Sequence, residues 1–151
     1  MPSRLVQDYA FEDVICNIAG EEVGGYGEDG GLEFEFPEDM INDAAGAGGE
    51  VYLSKNSDHR VYVDVTVMQG TQSAARLGAL AIVQRQQRGS IPRVPFFMKS
   101  TTTQEVVADD KAVMISQPEP NQNAEISERV FRFLLPNAAG QIVYGDPFGV
   151  L

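Results

Sequence analysis

The sequence predicts a mainly β fold, an antiparallel sandwich or split barrel with one flanking α-helix. Three observations carry that expectation. Residues 60–68 alternate strictly, with Val61, Val63, Val65 and Val67 on one side and Tyr62, Asp64 and Thr66 on the other, the two-residue period of a half-buried strand. One segment, 73–88, shows helical spacing instead. The rest consists of short apolar runs separated by turn residues, as in all-β folds. With 151 residues and 43% hydrophobic content, the chain reads as a single domain spanning 1–151, with enough apolar side chains to form a core.

In chain order, Phe11–Ile18 reads as a strand, and the acidic, Gly-rich stretch 20–31 as a turn. Leu32-Glu33-Phe34-Glu35-Phe36 alternates, which assigns Leu32, Phe34 and Phe36 to a core and Glu33 and Glu35 to water. Pro37 ends that strand. Residues 38–49, which include Ala44-Ala45-Gly46-Ala47-Gly48-Gly49, read as a long small-residue loop of the kind that is usually functional or disordered when free. A short strand at 50–55, a turn at Asn56-Ser57-Asp58 and the strand 60–68 follow. In the helix, Leu77, Leu80 and Ala81 form the apolar stripe, which Ile82 and Val83 widen. Thr71 or Ser73 can cap its start, Arg85 and Arg88 suit its C-terminal end, and Gly89 and Pro92 stop it. Strands are then expected at 94–99, 105–117, 128–135 and 141–144.

The charge pattern is uneven. The chain has 11 Lys and Arg against 22 Asp and Glu, a formal net charge of −11. Residues 5–54 hold thirteen carboxylates and no Lys or Arg, whereas 65–104 hold Arg76, Arg85, Arg88, Arg93 and Lys99 and no acid. Either the two segments neutralise each other within the fold, or they form two opposed surfaces that favour head-to-tail association. An acidic chain is poorly suited to gripping nucleic-acid phosphates. No run reaches the roughly 18 apolar residues of a membrane span, and the opening MPSRLVQDYAFEDV has no apolar signal core. The lone Cys16 cannot form an internal disulfide, so a soluble protein made in a reducing compartment is expected.

Sites for chemistry are sparse. His59 is the only histidine and lies beside a turn; Cys16 lies in an apolar strand, where an inert thiol is the default. One His and one Cys leave no zinc set of the usual ligands. The glycines of 24–31 lack the Lys-Ser/Thr of a phosphate loop, and the spacing of Glu21, Glu22, Glu28 and Asp29 matches no calcium loop. No catalytic, cofactor or metal residue is therefore expected.

The stretch from Gly46 to Gly70, GAGGEVYLSKNSDHRVYVDVTVMQG, with the Gly-rich turn before it and the Ser-led helix after it, resembles the tail tube proteins of contractile-tailed (myovirus-type) bacteriophages. The order of elements is similar from about Leu5 to Gly145. The resemblance implies a non-enzymatic structural subunit without cofactors, forming stacked, hexameric rings whose strands join into a barrel around a lumen. It further implies a sheath protein outside, baseplate and tail-terminator proteins at the ends, and a tape measure protein within. DNA would pass through an acidic lumen without specific binding, and the chain would not insert into a membrane. The location implied is the virion tail, assembled in the host bacterial cytoplasm. On this reading Glu33, Glu35 and Asp64 are lumen candidates, residues 38–49 are an inter-ring loop anchored by Met40 and Ile41, and Asp43 meets Arg85, Arg88 or Arg93 across rings. The alternatives are the tube of a related machine, such as a tailocin or type VI secretion system, or a small acidic β-sandwich enzyme or ligand-binding module.

Overall fold

The computed structural model describes residues 10–28 and 30–147; Asp8, Asp29 and both ends of the 1–151 span lie outside them. Nine strands and one helix follow in the order β1 (Val14–Ile18), β2 (Glu21–Glu22), β3 (Leu32–Glu35), β4 (Ile41–Ala45), β5 (Val51–Lys55), β6 (Val61–Met68), α1 (Gln72–Gln86), β7 (Val94–Ser100), β8 (Val106–Ser116) and β9 (Glu128–Leu135). Seven strands pair in the order β2-β1-β7-β8-β9-β6-β3, and β4 pairs only with β5. All the pairings are antiparallel. This is the mainly β, one-helix architecture that the alternation predicts.

Val61, Val63, Val65 and Val67 are fully buried on one face of β6, at about 1.5–3 kcal/mol of favourable transfer for each side chain. Phe131, Phe133 and Leu135 of β9 join them from the same sheet, and Cys16, Ile18, Phe96 and Met98 come from β1 and β7. Phe34 of β3 meets Phe96 of β7 edge-on at 6.3 Å, so the two halves of the strand order face each other as a sandwich. The helix covers one side through Leu77 and Ala81.

β8 belongs to both halves. Val106–Ala112 pair with β7, and Val113–Ser116 with β9. One extra β8 residue between Asp109 and Ala112 shifts the register and switches the inward side from Val107 and Asp109 to Ala112 and Met114. The buried Asp109 carboxylate accepts the amides of Lys111 (2.8 Å) and Asn137 (2.9 Å). Beyond Ala112, β7 no longer flanks β8. There the Gln84 side chain takes over, donating to the Met114 carbonyl and accepting from the Met114 amide (3.2 Å).

Several expectations are corrected. Residues 38–49 are not a structureless loop: Ile41–Ala45 pair with Val51–Lys55, leaving a tight turn in which the Gly46 amide bonds the Glu50 carbonyl at 2.7 Å. Gly49 sits at φ +89, which a side chain would resist. Phe36 is 48% exposed, because β3 ends before Pro37 and the chain turns out of the sheet. Ile82 and Val83 are exposed as well, since the helix lies on a narrow seam. Residues 11–13 form a 3-10 turn ahead of β1. In place of a strand at 141–144 stand a 3-10 turn, Ala138–Gln141, and one bridge from Val143 to Val106. The two candidate caps divide the work: Thr71 Oγ1 accepts from the Ala74 amide (3.2 Å), and Ser73 Oγ accepts from the Gly24 amide (2.8 Å). Arg88 follows the helix instead of ending it.

Replacing Asp109 with Ala leaves the part-buried Lys111 and Asn137 amides without this acceptor and is expected to lower stability by about 1–3 kcal/mol. Asn, which keeps one carbonyl oxygen, is expected to cost less. Denaturant midpoints at unchanged slope measure both.

Candidate assembly interface

Every residue of β4 and β5 is exposed, so the hairpin projects from the body as an arm. Its register sets Ile41, Leu53 and Val51 on one face beside Asp43 and Lys55, and Tyr52 opposite Ala44 on the other. Met40 at the base is 83% exposed, and Val51 and Leu53 are each 68% exposed. An isolated two-stranded ribbon is marginal in water, and clustered exposed apolar side chains mark a contact surface. The base is firmly tied. The Asn56 amide donates to the Met40 carbonyl (2.9 Å), and Arg60 binds the Asp58 carboxylate through Nε (3.0 Å) and Nη2 (2.8 Å). That contact holds the Asp58 carboxyl below its usual range. A cleft of about 680 Å³ opens between the arm and the body, with Leu53 on one wall and Phe36, His59 and Tyr144 among the others. His59 is exposed there, and its carbonyl accepts from the Ala139 amide (3.1 Å).

The three lumen candidates share one sheet face. Glu33 of β3 and Asp64 of β6 are register partners, and Asp64 lies opposite Arg132 of β9. Arg132 was not singled out in the sequence, yet it organises the face. Its Nη2 donates to Glu35 (2.9 Å), its Nη1 donates to Asp64 (3.3 Å), and its guanidinium lies 4.5 Å from the centre of the Tyr62 ring. The hydrogen bond to Glu35, ahead of the other contributions, holds the guanidinium more firmly protonated than usual. The alternation of 128–135 marks Arg132 as outward-facing; its partners follow only from the strand order.

Arg85, Arg88 and Arg93 gather at the C-terminal end of the helix and the start of β7. Arg85 Nε donates to Gln117 (2.6 Å) and Arg93 Nη1 to the Lys111 carbonyl (3.4 Å). Met40, Ile41 and Asp43 lie on and beside the arm, a different element from those that carry the three arginines. Among the described residues, one ion pair joins the acidic segment 5–54 to the basic segment 65–104: Arg76 with Glu21, at 2.9 Å. Intramolecular neutralisation thus accounts for a small part of the segregation.

Among the described residues no three His, Cys, Asp or Glu side chains gather closely enough to hold a metal ion, and no helix is long and apolar enough to cross a membrane. Cys16 is fully buried. Burial pushes its thiol up to about 12, an effect that the nearby Tyr26 hydroxyl partly opposes.

By sequence the chain matches no protein-family model and no curated protein. Its fold does match solved structures. The chain is similar to one in the sheath/tube terminator of PVC, an extracellular contractile injection system, in the extended state, at TM-score 0.62 and 9% identity over 92% of this chain and 97% of that one. It is similar to the tube-terminating cap of the anti-feeding prophage AFP, at TM-score 0.58 and 11% identity over 91% and 93%. It is also similar to a chain of the PVC sheath–tube complex in the extended state, at TM-score 0.60 and 9% identity over 90% of each. Identities this low establish a shared fold with these chains and no more.

Cys16 is expected to resist thiol reagents at pH 8 in the native protein and to react at once on unfolding. A folded pKa of about 12 against an ordinary 9.0 means that the native state retains the proton longer. This contribution to stability is complete below pH 9 and is lost as pH rises toward 12. Thiol-labelling rates and alkaline melting curves check the two expectations.

Proposed function

We propose that this chain is a non-enzymatic structural subunit of a contractile tail or injection machine, a tube-building protein that self-associates head to tail. The observation that carries the reading is the β4–β5 arm, with apolar side chains exposed on both faces. A second copy supplies the surface it lacks. The strand order favours the same reading, because β3 and β2 lie at its two ends and a ring of subunits protects such edges by pairing or covering them. In this reading the subunits form stacked rings, hexameric as the tail-tube resemblance implies. A sheath surrounds them, and baseplate, terminator and tape measure proteins are further partners. The face bearing Glu33, Glu35, Asp64 and Arg132 turns toward the lumen and keeps an acidic surplus that repels a passing DNA backbone. The particle is a phage tail assembled in the bacterial cytoplasm, or a related injection machine.

Two of the three structures described above are of a tube terminator or cap, which favours a second reading: a subunit that ends a tube. The readings differ in whether the polymer continues. Electron microscopy of the purified full-length chain distinguishes them: long tubes support the tube subunit, single rings support the terminator, and monomers at all concentrations refute both.

Replacing residues 41–55 with a short Gly-Ser link is expected to leave the melting temperature within a few degrees, because the arm buries almost nothing in the monomer. The variant is expected to stay monomeric by light scattering where the intact chain assembles. Normal tubes from it would remove the arm from the assembly interface.

A further inference from the structure

The proposed function calls for an acceptor of the arm on a neighbouring copy, and one surface matches it in both charge and apolar character. Ile82, Val83 and Ile91 are each more than half exposed. β8 draws basic side chains to the same edge, since Gln84 brackets Met114, Arg85 reaches Gln117, Val94 pairs with Ala112 and Arg93 reaches Lys111. Arg85, Arg88, Arg93 and Lys111 make no ion pair among the described residues. Asp110, exposed beside Lys111, and the buried Asp109 offset part of this charge and leave the edge net positive.

The arm has the complementary character. Glu38, Asp39, Asp43 and Glu50 surround Met40, Ile41, Val51 and Leu53, and Lys55 is the one base on the hairpin. Among the described residues none of these four carboxylates forms an ion pair, although Glu38 lies close enough to Arg60 to act on it electrostatically. We infer that the β4–β5 arm of one copy docks on the basic, apolar edge formed by the end of α1, the start of β7 and the middle of β8 of the next copy. Acceptor and arm are different surfaces, so the contact is heterologous, and repeating it closes a ring or extends a stack. Exposed apolar side chains hold the contact, while the charges set direction and rate, since like-facing arms repel one another.

The inference rests on self-association, and the test separates the two. Arg85→Glu with Arg88→Glu is expected to slow assembly of the full-length chain about tenfold in low salt, by light scattering. Adding Asp39→Lys and Asp43→Lys to the same chain is expected to restore most of the rate. All four positions are exposed, so circular dichroism and melting should match the unmodified protein. In a mixture of Asp43→Cys and Arg88→Cys chains, mild oxidation is expected to link the two variants, with Cys16 buried and silent. Tubes that form at unchanged rate with the reversals, without the cross-link, and with Arg88→Cys still open to maleimide overturn the docking site and leave self-association standing. That result frees the edge for a different protein, such as a sheath. An unmodified chain that never assembles overturns both.

Discussion

A single strand has to serve two sheets, and the rest of the structure depends on how β8 does so. A strand that changes sheets must turn its inward face over and leave some backbone groups without ladder partners. Here the extra residue after Asp109 performs the inversion, the Asp109 carboxylate collects two amides, and Gln84 of the helix completes the Met114 peptide. The helix is thereby fixed to the sheet by a polar clamp as well as by Leu77 and Ala81. With β8 turned in this way, β7 and β3 face each other and close the core between Phe34 and Phe96.

That closure also determines what is left outside. The core takes the inward residues of β6 and β9 up to Val61 and Leu135, and the chain leading into β6 has no sheet left to join. β4 and β5 therefore pair with each other. An arm whose hydrogen bonds are internal, and whose side chains have no home in the monomer, can move as a unit into a partner without unfolding anything else. The clamps at Asn56, Asp58 and Arg60 lie at its root, where they fix its direction.

The parts legible in the sequence were those where one physical requirement dominated. The Val61–Val67 alternation admits only a half-buried strand, and the capped, apolar-spaced segment after Thr71 admits only a helix. The arm was hidden because Ala44 to Gly49 carry little side-chain information: pairing with Val51–Lys55, not propensity, makes Ile41–Ala45 a strand. Phe36 misled because alternation says nothing about where a sheet ends. Ile82 and Val83 misled because a helix clamped by Gln84 presents a narrower seam than its composition suggests. Glu33, Glu35 and Asp64 were recognisable as outward-facing, but the Arg132 that joins two of them comes from a strand more than sixty residues further on, and only strand order brings it there.

The same pairing changes what a polar face on this fold means electrostatically. Counting carboxylates on β3 and β6 suggests a wall of free negative charge, yet Arg132 engages Glu35 and Asp64 together over the Tyr62 ring. Each pair is partly exposed and contributes little to stability, on the order of 0–1 kcal/mol. Its effect is on the field: one guanidinium shared by two carboxylates offsets part of their charge, and with Glu33 the four groups keep a negative surplus. If this face lines a conduit, a passing polyanion meets mild repulsion in place of strong adhesion or a steep barrier. A wall that neither binds nor strongly rejects its cargo suits transport. In the proposed assembly, the charges on the arm and on the helix edge that form no ion pair among the described residues then direct docking.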